Sequence, residues 1–208
     1  MSYYGGNEKE MKPEVELFYP KTKQHWRKWL TQNYMRKNAV WLVFYNKKST
    51  KPTISWSDAV DEALCFGWID GKAETLDTES HRHYFCKRKP NSTWSKINKE
   101  KTERLTSNNQ MTQAGFDAIE IAKQNGSWTI LDTVEALIVP VELENEFIKF
   151  DGSKDYFSSL SKSNKKILLQ WIALAKTEAT KQKRIGEIVE NASQKQLPKL
   201  FRRKKNGI

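Results

Sequence analysis

Residues 39 to 45 read AVWLVFY, seven apolar side chains with no polar interruption. The run is short for a helix and rich in β-branched and aromatic residues, so it is read as a strand covered on both faces. The flanking segments have a different period. Upstream, Thr22 is placed to cap a helix in which Trp26, Trp29, Leu30 and Tyr34 recur on one stripe. Downstream, Ser55 and Asp58 have capping-box spacing, and Trp56, Ala59, Val60, Ala63 and Leu64 keep helical spacing until Gly67 permits an exit. WIDGKAETLD and HRHYFCK follow as two strands of a hairpin or meander. The first hundred residues are thus expected to run α-β-α-β-β.

The second half is expected to be helical. Ser92 or Thr93 is placed to cap a helix carrying Trp94, Ile97 and Leu105; TSNNQ breaks it, and Thr112 begins another that stops at Asn125 and Gly126. Pro140 marks a boundary. Beyond it VELENEFIKF, DYFSSL and NKKILLQWIALAK read as short helices, the last with Ile167, Leu168, Trp171, Ile172 and Ala175 on one face, before a final helix over residues 178–192. The expected fold class is α+β, a small and mainly antiparallel sheet followed by a helical half. The expected boundaries are a flexible segment 1–16, an α+β domain 17–128 with a basic loop, a helical region 129–198 and a basic tail 199–208.

Composition narrows the class. Eight tryptophans within a 12% aromatic content argue for packed structure despite 29% charged residues. The amino terminus lacks an apolar signal core, and no run approaches the roughly 18 apolar residues of a membrane span. A cytoplasmic protein without membrane insertion is expected. Cys65 and Cys86 have no metal-site or disulfide-framework spacing and are read as buried free thiols. The net charge of +11 biases the chain toward anionic partners. That charge is blocked along the chain: residues 55–79 carry seven acids against Lys72, and residues 81–106 carry eight bases against Glu100 and Glu103. Opposite blocks this close in sequence are able to pair with each other.

The stretch FCKRKPNSTWSKINKEK, residues 85–101, is the leading candidate site. Arg88 supplies a planar fork for a carboxylate or phosphate, Lys89 and Lys96 add charge, and the amides from Ser92 to Ser95 face a helix start, with Ser95 and Asn98 placed to orient the anion and Trp94 beside them. The same stretch also fits an ordinary loop in which Trp94 and Ile97 are core and Ser92 is a cap. Asp70, beside Trp68, is read either as a general acid or base or as the ion-pair partner of Arg88. Asp58, Asp61 and Glu62 share a helix face that would hold a hard cation weakly or simply be solvated. His25, His81 and His83 make no metal spacing, so no metal and no cofactor are assigned. No GxGxxG, Walker or GxSxG motif is present, which counts against nucleotide cofactors and the common serine hydrolases. Nucleic acid is the rival partner, through basic segments interleaved with Tyr84, Phe85 and Trp94 and through the FRRKK tail.

ALCFGWIDG at 63–71, KRKPNSTWSKIN at 87–98 and MTQAGFDAIEIAKQNGSW at 111–128 together resemble the YdeI/OmpD-associated family, also described as bacteriocin-protection proteins. The resemblance runs from about Leu17 to Ala192 and takes in AKTEATKQKRI at 175–185. Lys87 stands where members typically have proline, and Ala179 and Lys181 stand where a glutamate and an arginine are usual. The resemblance implies stress or antimicrobial-peptide protection. The residues suggest how: by binding an anionic small molecule or acidic partner at 88–98. The alternatives are non-specific nucleic-acid binding and an enzyme on an anionic substrate with Asp70 as acid or base.

Overall fold

AVWLVFY is a strand, and its central residues Val40 to Phe44 are all buried. The computed structural model describes residues 15–202, so most of the segment read as flexible, 1–16, and the end of the basic tail lie outside the described residues. The chain divides into two compact units. The first comprises the residues up to Lys89 together with Lys101–Glu120, and the second Pro90–Glu100 together with the residues from Ile121. With about 50% helix and 13% strand, a sheet early and helices late, the fold is α+β.

In the first unit the order is β1 (Leu17–Phe18), α1 (Lys23–Asn33), β2 (Ala39–Tyr45), α2 (Trp56–Cys65), β3 (Trp68–Thr75) and β4 (Ser80–Lys87). The sheet order is β1-β2-β4-β3. Only β1 and β2 are parallel; β2 with β4 and β3 with β4 are antiparallel. The two-residue β1 is an addition to the expected α-β-α-β-β order, because two residues are too few to show a period.

Thr22 caps α1 by accepting the His25 amide at 3.1 Å. Trp26, Trp29 and Leu30 are buried; the two indoles stack at 5.1 Å, and Trp26 meets Phe85 edge-on at 5.7 Å. Trp26 Nε1 also donates to the Ala59 carbonyl of α2 at 3.0 Å, satisfying the one polar atom that such a burial would otherwise strand. Ser55 caps α2 as its spacing predicts. Trp56, expected on the buried stripe, is 46% exposed: it is the first residue of the helix and lies before its enclosed part begins at Ala59.

Gly67, at φ +70°, turns the chain from α2 into β3. The helix α4 (Gln113–Gln124) begins against that turn. A Cβ on Gly115 would stand 2.5 Å from the Cys65 carbonyl oxygen and 2.6 Å from Met111 Cε, so backbone meets backbone there with no room for a side chain. Thr112 opens this helix as expected, its carbonyl accepting the Phe116 amide at 3.1 Å, and its hydroxyl donates to the Cys65 carbonyl at 2.6 Å.

The second unit contains the start of α3 (Lys96–Ser107), the end of α4, and α5 (Asp132–Glu135), α6 (Val141–Phe147), α7 (Ser153–Ser159), α8 (Lys162–Ala173) and α9 (Glu178–Ser193). Leu143, Phe147, Phe157, Leu168, Ile172 and Ile185 belong to one core cluster. On α8 the buried face is Leu168, Leu169 and Ile172, whereas Ile167 is 44% exposed, so the stripe is rotated by about one residue from the expected one.

Gly115→Ala is expected to destabilise the protein by about 2 kcal/mol through overpacking. Gly186→Ala, in the middle of α9 with nothing within 4 Å of an added Cβ, is expected to stabilise by about 0.5 to 1 kcal/mol. Urea denaturation of the two variants beside the parent checks both signs.

Candidate functional site

The hairpin of β3 and β4 carries the first part of the candidate site. Its register sets Trp68 opposite Lys87, Ile69 opposite Cys86 and Asp70 opposite Phe85, with an irregularity between Asp70 and Ala73. The Arg88 amide donates to the Gly67 carbonyl at 2.9 Å, so the residue after β4 is tied to the residue before β3. Arg88 and Asp70 therefore lie at the same end of the hairpin. Nε and Nη2 of Arg88 are enclosed, although the residue as a whole is partly exposed. Burial pushes the Arg88 guanidinium down to about 10, against the opposing influence of Asp70 and then Cys86. Asp70 accepts a hydrogen bond from Trp56 Nε1 at 3.0 Å. Trp56, missing from the core, is thus spent on orienting this carboxylate.

Lys89 is exposed and is the last residue of the first unit before the chain enters the second; Ser92, Trp94, Ser95, Lys96 and Asn98 belong to the second. The stretch expected to act as one loop is therefore divided between the two units. Within the second unit, Asn125 Nδ2 donates to the Pro90 carbonyl at 2.8 Å and Ser127 to the same oxygen at 3.3 Å. Trp94 is 1% exposed and packs on Trp128 at 5.0 Å. Ser95 is the cap of α3, its hydroxyl accepting the Asn98 amide at 3.3 Å, in place of the expected Ser92 or Thr93. Lys96 faces Glu100 at 3.8 Å. Ile97, read as core beside Trp94, is 62% exposed.

The acidic face of α2 is the largest departure from expectation. Asp58 remains at the cap, but Asp61 and Glu62 are 5% and 2% exposed. Lys101 and Arg104 each reach Asp61 at 2.6 Å, one to either oxygen. Arg27 reaches Glu62 at 2.6 Å and Lys23 at 3.5 Å. The face expected to be solvated is therefore enclosed, and bases from other elements neutralise it. These four bases were not singled out from sequence; the adjacent acidic and basic blocks were the signal for Lys101 and Arg104. Burial opposes ionisation of Asp61, but the hydrogen bonds from Lys101 and Arg104 outweigh it and hold the carboxyl below its ordinary value.

The remaining candidates lie apart from one another in role. Phe85 is fully enclosed, whereas Tyr84 alternates to the other side of β4 and meets Trp41 at 5.2 Å. Arg82 lies 4.3 Å over the Trp41 ring and pairs with Glu74 at 2.7 Å. His81 and His83 are ring neighbours at 5.3 Å. Burial and then His81 push His83 below the ordinary imidazole value, with Asp70 acting the other way. Burial raises the thiols of both Cys65, which is buried, and Cys86, which is half-buried. Among the described residues no group of three or more His, Cys, Asp or Glu is placed to hold a metal ion, and no helix is long and apolar enough to cross a membrane.

A sheet-bearing α+β unit followed by a helical unit is the class that these observations define. Residues 136–195, within the helical unit, match the family model described as Bacteriocin-protection, YdeI or OmpD-Associated. Residues 18–118 match a separate model, Domain of unknown function (DUF8412). ALCFGWIDG and KRKPNSTWSKIN, two of the stretches that carried the resemblance, fall within that second match, and AKTEATKQKRI falls within the first. No curated protein and no solved structure matches the chain.

Asp61→Ala, which strands two cations, is expected to cost about 2 to 3 kcal/mol, below the full buried-pair range because Arg104 is half exposed. A carboxyl held below its unfolded value of about 3.9 contributes stability above that pH and loses it as pH falls through the folded value. Unfolding free energies across the acid range are therefore expected to fall less steeply in Asp61→Asn than in the parent.

Proposed function

We propose that the protein binds a small anion, a carboxylate or phosphate, or an acidic partner, through Arg88 with Lys89 beside it, and does not turn it over. What supports this reading is the guanidinium of Arg88, part-enclosed just after β4, where the bond from the Arg88 amide to Gly67 fixes the main chain. An arginine removed from water meets an oxyanion at a lower effective dielectric than a surface lysine does, and its planar fork matches the anion's geometry. Asp70, bonded to Trp56, acts in this reading as a fixed counter-charge rather than as an acid or base. Protection against antimicrobial peptides is the role that the family description suggests, and anion binding is the physical step we assign to it.

Thermal unfolding against phosphates, carboxylates, nucleotides and a short oligonucleotide at two salt concentrations tests the reading. One small anion is expected to raise the midpoint. At 100 times its dissociation constant it adds about 2.7 kcal/mol, or roughly 5 to 10 °C for a chain of this size. Arg88→Ala is expected to abolish the shift, Arg88→Lys to keep the fold with a reduced shift, and Asp70→Asn to retain it. A shift from the oligonucleotide alone, salt-sensitive and unchanged in Arg88→Ala, would replace anion binding with nucleic-acid binding through the basic segments.

A further inference from the structure

The core of the helical unit is not closed. A cavity of about 300 Å³ opens between α5, the segment after it, α8 and the start of α9. Its floor is Val134, Leu169 and Ile172, all nearly fully buried. Ala173 and Ala175 line it with the smallest available side chains, and Ile138, 56% exposed, stands on its lining near solvent. Only two polar residues line it, Thr133 and Lys181. The volume lies at the lower end of small-molecule sites, about 300–1,000 Å³. Scaled from benzene in a cavity of about 150 Å³, it admits an apolar body of on the order of ten carbon atoms.

Lys181 gives this partly apolar space a sign. Its ammonium hydrogen-bonds Glu142, and that bond raises its proton affinity, so the cation persists throughout the neutral range. One of its three donors is engaged by Glu142, which leaves donor capacity for a ligand head. The neighbouring carboxylate disfavours a multiply charged head and leaves a singly charged one as the match.

The segment that walls the cavity is held at some cost. Leu137 follows the C-cap of α5 at φ +57°, the left-handed region where glycine is the usual residue. Its amide donates to Val134 at 3.0 Å and the Ile138 amide to Thr133 at 2.9 Å, the paired bonds of a helix end closed in this way. A non-glycine residue in this region carries backbone strain of about 1 kcal/mol, as Asn109 and Lys195 also do. Here it fixes Ile138 and Pro140 on this cavity, while Leu137 and Val139 line a second, smaller one of about 140 Å³.

We infer that the larger cavity binds a small amphipathic anion, with a singly charged carboxylate-type head at Lys181 and an apolar chain over Val134, Leu169 and Ile172. The site lies wholly in the helical unit and is independent of Arg88. Methyl NMR of the full chain titrated with octanoate, 1-octanol and octylamine, each below its aggregation concentration, tests it. Octanoate is expected to shift the Ile138 and Ile172 methyls and to bind about tenfold more tightly than octanol at low salt, with octylamine weakest. Lys181→Gln is expected to reduce octanoate to the level of octanol while leaving octanol unchanged. Ala173→Phe, which fills the space, is expected to abolish both; Ala175→Leu serves the same purpose if the phenylalanine variant does not fold. Arg88→Ala is expected to leave octanoate binding intact, which separates this site from anion binding at β4. Unshifted methyls, equal binding of octanoate and octylamine, or undiminished binding in a folded cavity-filling variant would overturn the inference.

Discussion

Two adjacent carboxylates in the interior govern the sheet-bearing unit. Asp61 and Glu62 sit on a helix whose residues from Ala59 to Cys65 are all buried, and charges in such a place persist only if each is matched. The matches come from opposite directions in sequence: Arg27 and Lys23 from α1 for Glu62, and Lys101 and Arg104 from α3 for Asp61. Moving either flanking helix away would strand a charge in a poorly hydrated place. The ion pairs thus add little net stability over an apolar core but penalise every other arrangement of these helices. The Cys65 carbonyl, which accepts from both the amide and the hydroxyl of Thr112, adds a third tie on the same helix.

Much of this architecture could be read from local pattern. AVWLVFY, the Thr22 and Ser55 caps, the hairpin and the final helix depend on residues within one or two turns of each other, and they stand where the pattern puts them. On α2 periodicity placed Ala59, Val60, Ala63 and Leu64 in the core but left Asp61 and Glu62 outside it, because a helix enclosed on several sides buries part of its polar face as well. The partners that make Asp61 and Glu62 tolerable lie 40 and 35 residues away, beyond any local window. Ile97 failed for the complementary reason: its spacing from Trp94 assumed one continuous helix, whereas α3 begins only at Lys96, after Trp94.

The candidate site was legible in composition and illegible in geometry. A basic stretch with an arginine, a serine and a tryptophan announces anion chemistry, but Ser95 is a helix cap, Trp94 is core, and the enclosed bases Lys99 and Lys101 pair with Asp132 and Asp61, which leaves Arg88 as the candidate. The charge blocks were more telling than the motif. Arg82, Lys101 and Arg104 from the basic block pair with Glu74 and Asp61 from the acidic one, so part of the local charge is internal. A surplus that remains after such pairing, rather than the formal total, is what an external anion would meet.

The segment from Leu137 to Pro140 alternates its side chains between two hollows of the helical unit. Such a partition tolerates substitution but not a change of length. Inserting or deleting one residue there would exchange the linings of the two spaces at a stroke, delivering to each the side chains shaped for the other. Variation in this part of the molecule is therefore confined to the identity of four side chains, and the spacing between α5 and α6 acts as a ruler.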